Sequence, residues 1–399
     1  MIVVSELVKN IVPSTTGELK GKVLQLKASG VDIVNLSSGE PDFQTPQNIV
    51  DAAKKAMDEG KTKYTAYPGI MELREAILEK FKKDNGLTYQ VAQIGVETGA
   101  KQAIYDAILA VVNPGEEVLL PAPCWVSYTE QVKLAGAVPI LVPLDGKNHF
   151  PLDADLLEKY VTARTRAVIV NSPNNPTGLL YSREELQGVV DLAKKHGLVI
   201  ISDEIYEKLV YDDVRNFISV ASLGDYAFEN TIVINGVSKA YAMTGWRIGY
   251  SAAPSDIARG MLSILGHVTS SANTIAQYAA LEALTGSQDS VEIMRLEFDR
   301  RRKYVVDRLK NIDGISCSEG KGAFYAFPDV SDYYGKSHAG KVVKSSLDMC
   351  NFLLEQAHVA FVPGSGFFDD RCLRISYSYS IESIKEGLDR FESALGLLK

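Results

Sequence analysis

Residues 198–206 read LVIISDEIY, and this stretch decides the fold. Its first four residues are all apolar, which is typical of a strand buried on both faces in the parallel sheet of an α/β protein. The strand ends at Asp203, and ligands of such sheets bind at the carboxyl ends of the strands. Because a buried carboxylate is unfavourable unless it meets a cation, we expect Asp203 to face a positively charged group of a ligand.

A second apolar segment ends near a lysine. Residues 231–240 read TIVINGVSKA, so that Lys239 follows a strand-like run and has small neighbours. Burial lowers the pKa of a lysine and favours Schiff-base formation with a carbonyl, although a solvated loop is the commoner setting for a lysine. A Schiff-base lysine combined with a carboxylate opposite a pyridinium nitrogen is typical of pyridoxal phosphate sites.

Short apolar runs alternate with helical patterns from about residue 48 to residue 285, which predicts an α/β fold with a mostly parallel sheet and helices on both faces. The predicted strands are Glu117–Leu120, Val138–Val142, Ala167–Val170, Leu198–Ser202, Thr231–Asn235 and Ile248–Ala252. A long charged helix at 291–309 and short strands at 322–327, 359–362 and 373–377 follow. We therefore predict a large domain over residues 48–285 and a smaller α+β domain formed by residues 1–47 and 286–399.

Composition narrows the classes of function. The net charge of −8, without a block of Lys or Arg, argues against a nucleic-acid-binding protein. No apolar run is long enough for a membrane span, and the acidic start is unlike a signal peptide. Four cysteines without paired spacing favour free thiols and a cytoplasmic location, and five scattered histidines give no reason to expect a metal site.

Three segments together resemble the signature motifs of the class I aminotransferases, which belong to the fold-type I pyridoxal-phosphate enzymes. They are residues 171–178 (NSPNNPTG), 202–206 (SDEIY) and 236–249 (GVSKAYAMTGWRIG). The similarity runs in order and spacing from about Pro13 to the C-terminus. It implies a seven-stranded sheet in the large domain, pyridoxal 5′-phosphate as cofactor, and a homodimer with shared active sites whose N-terminal arms reach the partner subunit.

The resemblance also assigns roles around the cofactor ring. Lys239 is the Schiff-base lysine and the general acid and base, and Asp203 binds the pyridine nitrogen. Tyr206 and Asn175 donate hydrogen bonds to the ring oxygen, and Trp125 lies on the ring face. For the phosphate, unpaired amides at a helix start combine with a fixed cation, although a Gly-Ala helix start is also common as a plain cap. The expected phosphate ligands are Gly99, Ala100, Lys101, Ser238 and Arg247, with Tyr64 supplied by the neighbouring subunit.

The substrate α-carboxylate is expected to bind Arg374 and the amide of Gly39, beside Trp125 and Asn175. An arginine within the apolar run 372–377 is hard to place otherwise, because an unpaired buried guanidinium is unfavourable. Phe324 is expected to line the pocket, and packing in the core explains it equally well.

The substrate side chain is the harder question. Residues 261–277 contain no Arg or Lys for a distal carboxylate, whereas the bacterial-type subgroup that this chain resembles uses a Ser-x-Thr pair and a lysine, matched here by Ser14, Thr16 and Lys101. We therefore predict ping-pong transamination between L-aspartate or glutamate and a 2-oxo acid (2-oxoglutarate or oxaloacetate). Prephenate is a further candidate, but Val12 stands where prephenate-using members often have a lysine.

Three other functions fit parts of this pattern. A pyridoxal-phosphate C–S lyase would use the same scaffold and lysine, and would release pyruvate and ammonia without an acceptor. A broad aromatic or alanine-type aminotransferase would leave Lys101 in an apolar pocket. A non-catalytic effector sensor would require a DNA-binding segment, for which this chain has no basic helix.

Overall fold

The computed structural model describes residues 3–12, 15–212 and 217–399, and the side chains of residues 15–20 and 22 lie outside the described part. The helices are α1 (Glu6–Lys9), α2 (Thr15–Ala28), α3 (Gln47–Asp58), α4 (Met71–Asn85), α5 (Ala100–Val111), α6 (Ser127–Leu134), α7 (Ala154–Glu158), α8 (Arg183–His196), α9 (Asp225–Asn230), α10 (Ser255–Val268), α11 (Thr274–Thr285), α12 (Asp289–Lys310), α13 (Ser346–Gln356) and α14 (Ile381–Leu395). The strands are β1 (Val34–Asn35), β2 (Ile94–Glu97), β3 (Glu117–Ala122), β4 (Val138–Pro143), β5 (Thr165–Asn171), β6 (Val199–Asp203), β7 (Thr231–Gly236), β8 (Gly249–Ala252), β9 (Tyr325–Ala326), β10 (Ser337–His338), β11 (Lys341–Val342), β12 (Val359–Ala360), β13 (Val362–Pro363) and β14 (Leu373–Ser376).

A seven-stranded sheet in the order β2-β8-β7-β6-β5-β3-β4 forms the centre of the molecule. Strands β4, β3, β5, β6 and β7 pair in parallel, and β8 runs antiparallel to both of its neighbours. The residues of β3 and β7 are all buried, as expected for strands covered by helices on both faces. The predicted α/β fold with a mostly parallel seven-stranded sheet is confirmed.

Strand β2 is not among the strands predicted from the sequence, which is a correction. Its sequence, IGVE, is short and contains a glycine and an acid, both depleted in strands. The acid, Glu97, is nevertheless buried, and it accepts a hydrogen bond from Ser251 Oγ on β8 at 2.5 Å. Tertiary contacts therefore stabilise a strand that its composition does not indicate.

Both ends of α8, the helix before β6, are marked by capping residues. A capping box between Ser182 and Glu185 starts α8, and the left-handed Gly197 ends it shortly before β6. Helix α5 buries Ala103, Ile104, Ala107 and Ile108, whose spacing is that of one helix face.

A smaller antiparallel sheet, β13-β14-β9, lies in the C-terminal part of the chain. The strand predicted over 322–327 is confined to Tyr325–Ala326, because Ala323 has a left-handed φ of 55°. Strand β1 pairs in parallel with β12, which joins the N-terminal segment to the C-terminal part. The division into two domains at residues 47 and 285 stays a prediction. None of the described helices combines the length and the apolarity that a bilayer span requires.

Candidate active site

A cavity of about 400 Å³ lies at the carboxyl ends of β5, β6 and β7. Its lining includes most of the residues that the sequence predicts for cofactor or substrate, namely Gly39, Ala100, Lys101, Trp125, Asn175, Asp203, Tyr206, Ser238, Lys239, Arg247 and Arg374. Residues not predicted from the sequence complete it, namely Ile104, Tyr128, Asn171, Ile205, Thr244 and Tyr325. Segments far apart in the chain therefore converge on one pocket.

Lys239 extends into this cavity from the connection that follows β7. Its Nζ donates a hydrogen bond to the carbonyl of Gly39 and lies 5.7 Å from the centroid of the Tyr206 ring. Burial lowers the pKa of Lys239 to about 8, and the positive charges of Arg374 and Arg247 act in the same direction. Compared with an ordinary lysine, a much larger fraction of this side chain is an unprotonated, nucleophilic amine near neutral pH.

Asp203 is buried at the end of β6. Its Oδ2 accepts a hydrogen bond from the hydroxyl of Tyr128 at 2.6 Å, and its Oδ1 accepts one from the amide of Ile205 at 3.2 Å. It forms no ion pair with the described residues, and burial raises the pKa of its carboxyl group. This carboxylate therefore fits a cationic ligand atom, such as the protonated nitrogen of a pyridine ring.

Tyr128 and Asn171 are the main residues that sequence reasoning missed. The ring of Tyr128 packs edge-to-face on Trp125 at 5.4 Å, and its place three residues after Trp125 is the one signal for it. Asn171 donates a hydrogen bond from Nδ2 to the carbonyl of Asp203 at 2.9 Å and accepts one from the amide of Asn175 at 2.9 Å. It thereby ties the 171–178 loop to β6.

Arg374 is only 3% exposed. Its Nη1 donates a hydrogen bond to Asn175 Oδ1 at 3.0 Å and its Nη2 to the carbonyl of Ser37 at 2.8 Å, while Nε has no partner among the described residues. The guanidinium lies 4.5 Å from the ring centroid of Tyr325, and no described carboxylate forms an ion pair with it. A buried cation in this state fits a carboxylate ligand.

The start of α5 forms the anion-binding side of the cavity. Gly99 has a φ of 87°, and no side chain caps the helix, so its first amides are open to a ligand. A Cβ atom at Gly99 would lie 2.4 Å from Nη2 of Arg247, which shows how closely the guanidinium approaches this turn. The residues present therefore fit a phosphate group.

Lys101 and Trp125 meet at the rim, with the Nζ of Lys101 4.7 Å from the centroid of the indole. Partial burial and the charge of Arg247 lower the pKa of Lys101. Nε2 of Gln131 on α6 donates a hydrogen bond to the carbonyl of Lys101 at 2.6 Å.

Four predicted residues are placed differently or cannot be placed. Tyr64 is 90% exposed and does not line the cavity. Phe324 is fully buried, with its ring centroid 5.5 Å from that of Tyr206 and 5.8 Å from Nζ of Lys239, and the adjacent Tyr325 lines the cavity. Ser14 lies outside the described residues, and so does the side chain of Thr16 within α2.

Comparison with known proteins identifies the family. A family model described as aminotransferase class I and II matches residues 31–391. The aspartate aminotransferase of Bacillus sp. (strain YM-2) is 45% identical over 385 residues, which cover 96% of this chain and 97% of that protein. The chain belongs to the class I and II aminotransferases. The aspartate/prephenate aminotransferase of Cereibacter sphaeroides is also similar to this aminotransferase, at 44% identity over 395 residues and 98% of each chain.

Solved structures share the whole fold of this aminotransferase. The aspartate aminotransferase from Rhizobium meliloti superimposes with a TM-score of 0.96 at 39% identity, covering 100% of both chains. The Thermus thermophilus aspartate aminotransferase with maleate gives a TM-score of 0.92 at 40% identity, covering 99% of this chain and 100% of that one. The resemblance given by the three sequence motifs is confirmed.

Proposed function

We propose that this aminotransferase uses pyridoxal 5′-phosphate to exchange amino groups between L-aspartate or glutamate and a 2-oxo acid, with 2-oxoglutarate or oxaloacetate as the acceptor. One observation carries the proposal. One cavity contains an amine of lowered pKa (Lys239), a buried carboxylate (Asp203) and a buried guanidinium (Arg374), and neither of these two charged groups has an ion-pair partner among the described residues. Cofactor and amino-acid substrate together would satisfy all three groups.

When bound, the cofactor acts as an electron sink for the bonds at the substrate α-carbon. Asp203 would keep a proton on the pyridine nitrogen, with Tyr128 and Ile205 holding its carboxylate in place. Tyr206 and Asn175 would donate hydrogen bonds to the ring oxygen, and Trp125 would pack on the ring. The amides at the start of α5, together with Ser238 and Arg247, would bind the phosphate.

Lys239 and Arg374 divide the work on the substrate. Arg374 binds the α-carboxylate with the amide of Gly39, and this fixes the orientation of the α-carbon beside the ring. Nζ of Lys239 then accepts the proton of the α-carbon and donates it again, as an amine with a pKa near 8 can do close to neutral pH.

For the distal carboxylate we propose Lys101 together with Ser14 and Thr16. Two similar proteins support a dicarboxylic substrate, since one is named an aspartate aminotransferase and another was solved with maleate, a dicarboxylate. An aspartate/prephenate aminotransferase among the relatives keeps prephenate as a further substrate to test, with Val12 as the residue that argues against it.

We also propose the arrangement around this site. The active unit is a homodimer in which the exposed Tyr64 reaches the partner's phosphate site. The cofactor-binding domain spans residues 48–285, and residues 1–47 and 286–399 form the smaller domain. The four free cysteines, Cys124, Cys317, Cys350 and Cys372, support a cytoplasmic location.

The test is to add L-aspartate alone to the purified holoenzyme and follow the visible absorption of the cofactor. One equivalent of oxaloacetate per site, formed with a change in absorption and no further turnover until 2-oxoglutarate is added, is the expected result. No response to either aspartate or glutamate would contradict the substrate assignment. Steady release of pyruvate and ammonia from a cysteine conjugate without an acceptor would identify a C–S lyase.

A variant tests the mechanism. Lys239→Ala should lower turnover by about four orders of magnitude or more, since it removes the group that moves the proton. Lys341→Ala, which removes an exposed lysine paired with Glu355 at 3.0 Å, is the control and should keep the parent rate.

A further inference from the structure

The end of β6 and the segment that follows it direct their polar side chains to two sides. Asp203 and Tyr206 line the cavity, whereas Glu204 and Glu207 are buried away from it. Glu204 is bound by Ser202 Oγ at 2.8 Å and by other donors of its own surroundings. Glu207 reaches two other elements and is the residue of interest.

Three donors surround the carboxylate of Glu207. Oε2 forms a close ion pair with Nζ of Lys80 and accepts a hydrogen bond from Nδ2 of Asn235 at 2.6 Å. Oε1 accepts a third bond from Nδ2 of Asn85 at 3.1 Å. The side chains of Lys80 and Glu207 are 6% and 5% exposed, so the pair is removed from solvent.

These donors come from α4 and its C-cap region and from β7. Asn235 also accepts a hydrogen bond from the amide of Gly236 at 2.7 Å, so both ends of its side-chain amide are held where β7 ends. Gly236 is tightly enclosed, because a Cβ there would lie 3.0 Å from the carbonyl oxygen of Ile248. Glu207, which directly follows Tyr206, is therefore connected to the part of the chain that leads directly to Lys239.

Stability alone does not account for this cluster. Removing two charges from water costs about as much as their attraction returns, and replacing a buried ion pair by apolar residues of similar size is often neutral or stabilising. What the cluster supplies is a fixed geometry between α4, β7 and the end of β6. None of its charged or amide members, Lys80, Asn85, Glu207 and Asn235, lines the cavity.

We propose that Lys80, Glu207 and Asn235 form a positioning cluster that holds the hydroxyl of Tyr206 and the amine of Lys239 at a fixed separation in the active site. The proposal rests on the proposed function, which gives those two groups their roles. The effect is indirect, since the cluster acts on strand ends and touches neither substrate nor cofactor.

The test replaces both charges by apolar side chains of similar length, Lys80→Met with Glu207→Met. We expect kcat to fall about tenfold, because a small misplacement of catalytic groups is costly, with KM for 2-oxoglutarate within about twofold. We also expect the pH midpoint of the visible absorption of the bound cofactor to rise by about half a unit, since a displaced Tyr206 stabilises the ring oxygen less well.

The matched control is a buried ion pair within α12, Asp299 and Arg302, which does not line the cavity. Asp299→Met with Arg302→Met should leave the pH midpoint unchanged, whatever its effect on the Tm. Asn235→Ala cuts the contact to β7 while keeping the ion pair, and it should shift the midpoint in the same direction even if the first double variant does not fold.

Two results would overturn the positioning cluster. One is a folded Lys80→Met and Glu207→Met protein with the parent's kcat and pH midpoint. The other is a loss of kcat that is the same in the Lys80→Met and Glu207→Met protein and in the control protein, with no shift of the pH midpoint in either. Neither result affects the proposed function, which fails separately if Lys239→Ala retains turnover.

Discussion

Lys239 and Arg374 share one cavity, yet their side chains suit different partners. The amine of Lys239 is a single point donor whose pKa burial has lowered to about 8, so it can exchange a proton. The guanidinium of Arg374 is planar and presents paired donors that match a carboxylate. This difference supports the proposed roles, proton transfer for Lys239 and substrate orientation for Arg374.

Arg374→Lys should retain a positive charge but lose the paired donor geometry. We expect kcat/KM for L-aspartate to fall about 100-fold, with most of the loss in KM, because a buried charge pair is replaced by a poorer one. Arg371→Lys is the control, since Arg371 is half-buried and paired with Asp369 at 2.7 Å outside the cavity. Steady-state kinetics at saturating 2-oxoglutarate measure both, and a loss below threefold for Arg374→Lys would argue against the clamp.

The pKa of Lys239 predicts how the apoenzyme captures cofactor. Only the unprotonated amine attacks a carbonyl, so the initial rate should rise about tenfold per pH unit below pH 8 and level off above it. A lysine with an ordinary pKa would show a rate that continues to rise towards pH 10. Stopped-flow absorbance between pH 6.5 and 9.5 distinguishes the two profiles, and Lys239→Ala should show no such phase.

At this scale the sequence predicted the residues that stand inside motifs. Lys239, Asp203 and Arg374 each follow or interrupt an apolar run, and the resemblance to the family motifs then assigned their roles. Tyr128 has no such mark, and Asn171 opens the 171–178 motif but received no role of its own, because the importance of both comes from contacts with Asp203 that only the folded chain creates. These contacts join residues far apart in sequence, and single-sequence patterns do not contain them.

At the scale of helices and strands, β8 packs very closely against the start of α5, on the side of the cavity proposed for the phosphate. A Cβ at Gly249 would lie 2.2 Å from the amide nitrogen of Ala100 and 2.4 Å from the carbonyl carbon of Gly99. A glycine is required at this position because the two backbones almost touch. The helix start is thereby held against the strand that follows Arg247.

Gly249→Ala should displace the first turn of α5 and weaken cofactor binding about tenfold or more, since a misplaced anion site loses its aligned amides. Gly260→Ala is the matched control, because its Cβ would lie 3.8 Å from Ala110 near the other end of α5, an ordinary contact. Equilibrium titration of each apoprotein with pyridoxal 5′-phosphate measures the effect. Equal affinities would show that α5 does not depend on this contact.

Element prediction succeeded where the apolar pattern was strong. The strands β3 to β8 and the long helix α12 were placed to within a few residues, because continuous apolar runs and long periodic segments carry most of the signal. Strand β2 was not predicted because its short sequence contains a glycine and an acid, and the hydrogen bond that the buried Glu97 accepts comes from another strand, from Ser251. The two-residue strands β12 and β13 were predicted as one strand over 359–362, because segments this short give a weak local signal.

For the whole molecule, the proposed homodimer makes Tyr64 the residue that would connect one chain with a second. A tyrosine that is 90% exposed in one chain, yet matches a phosphate ligand of the family, is explained if it completes the site of a partner. The described single chain brings the other cofactor residues together without it.

Subunit complementation tests this arrangement. Tyr64→Phe and Lys239→Ala proteins are unfolded and refolded together, and half of the resulting dimers carry both variants if mixing is random. Each mixed dimer then has one intact site, so activity should recover to about a quarter of the parent value at limiting cofactor. Activity no higher than the sum of the separate variants would indicate that each site uses its own Tyr64.

The reversed direction of β8 in the sheet makes the spacing between Lys239 and Arg247 independent of the residues that set the substrate range. Because β7 and β8 are antiparallel neighbours, with Gly236 paired to Gly249, a single short connection carries both Lys239 and Arg247 and is held at both ends. The span from the reactive amine to the phosphate anchor is therefore set by local chain length. Arg374 and Lys101 come from distant parts of the sequence, so substrate range can be engineered there while that span stays constant.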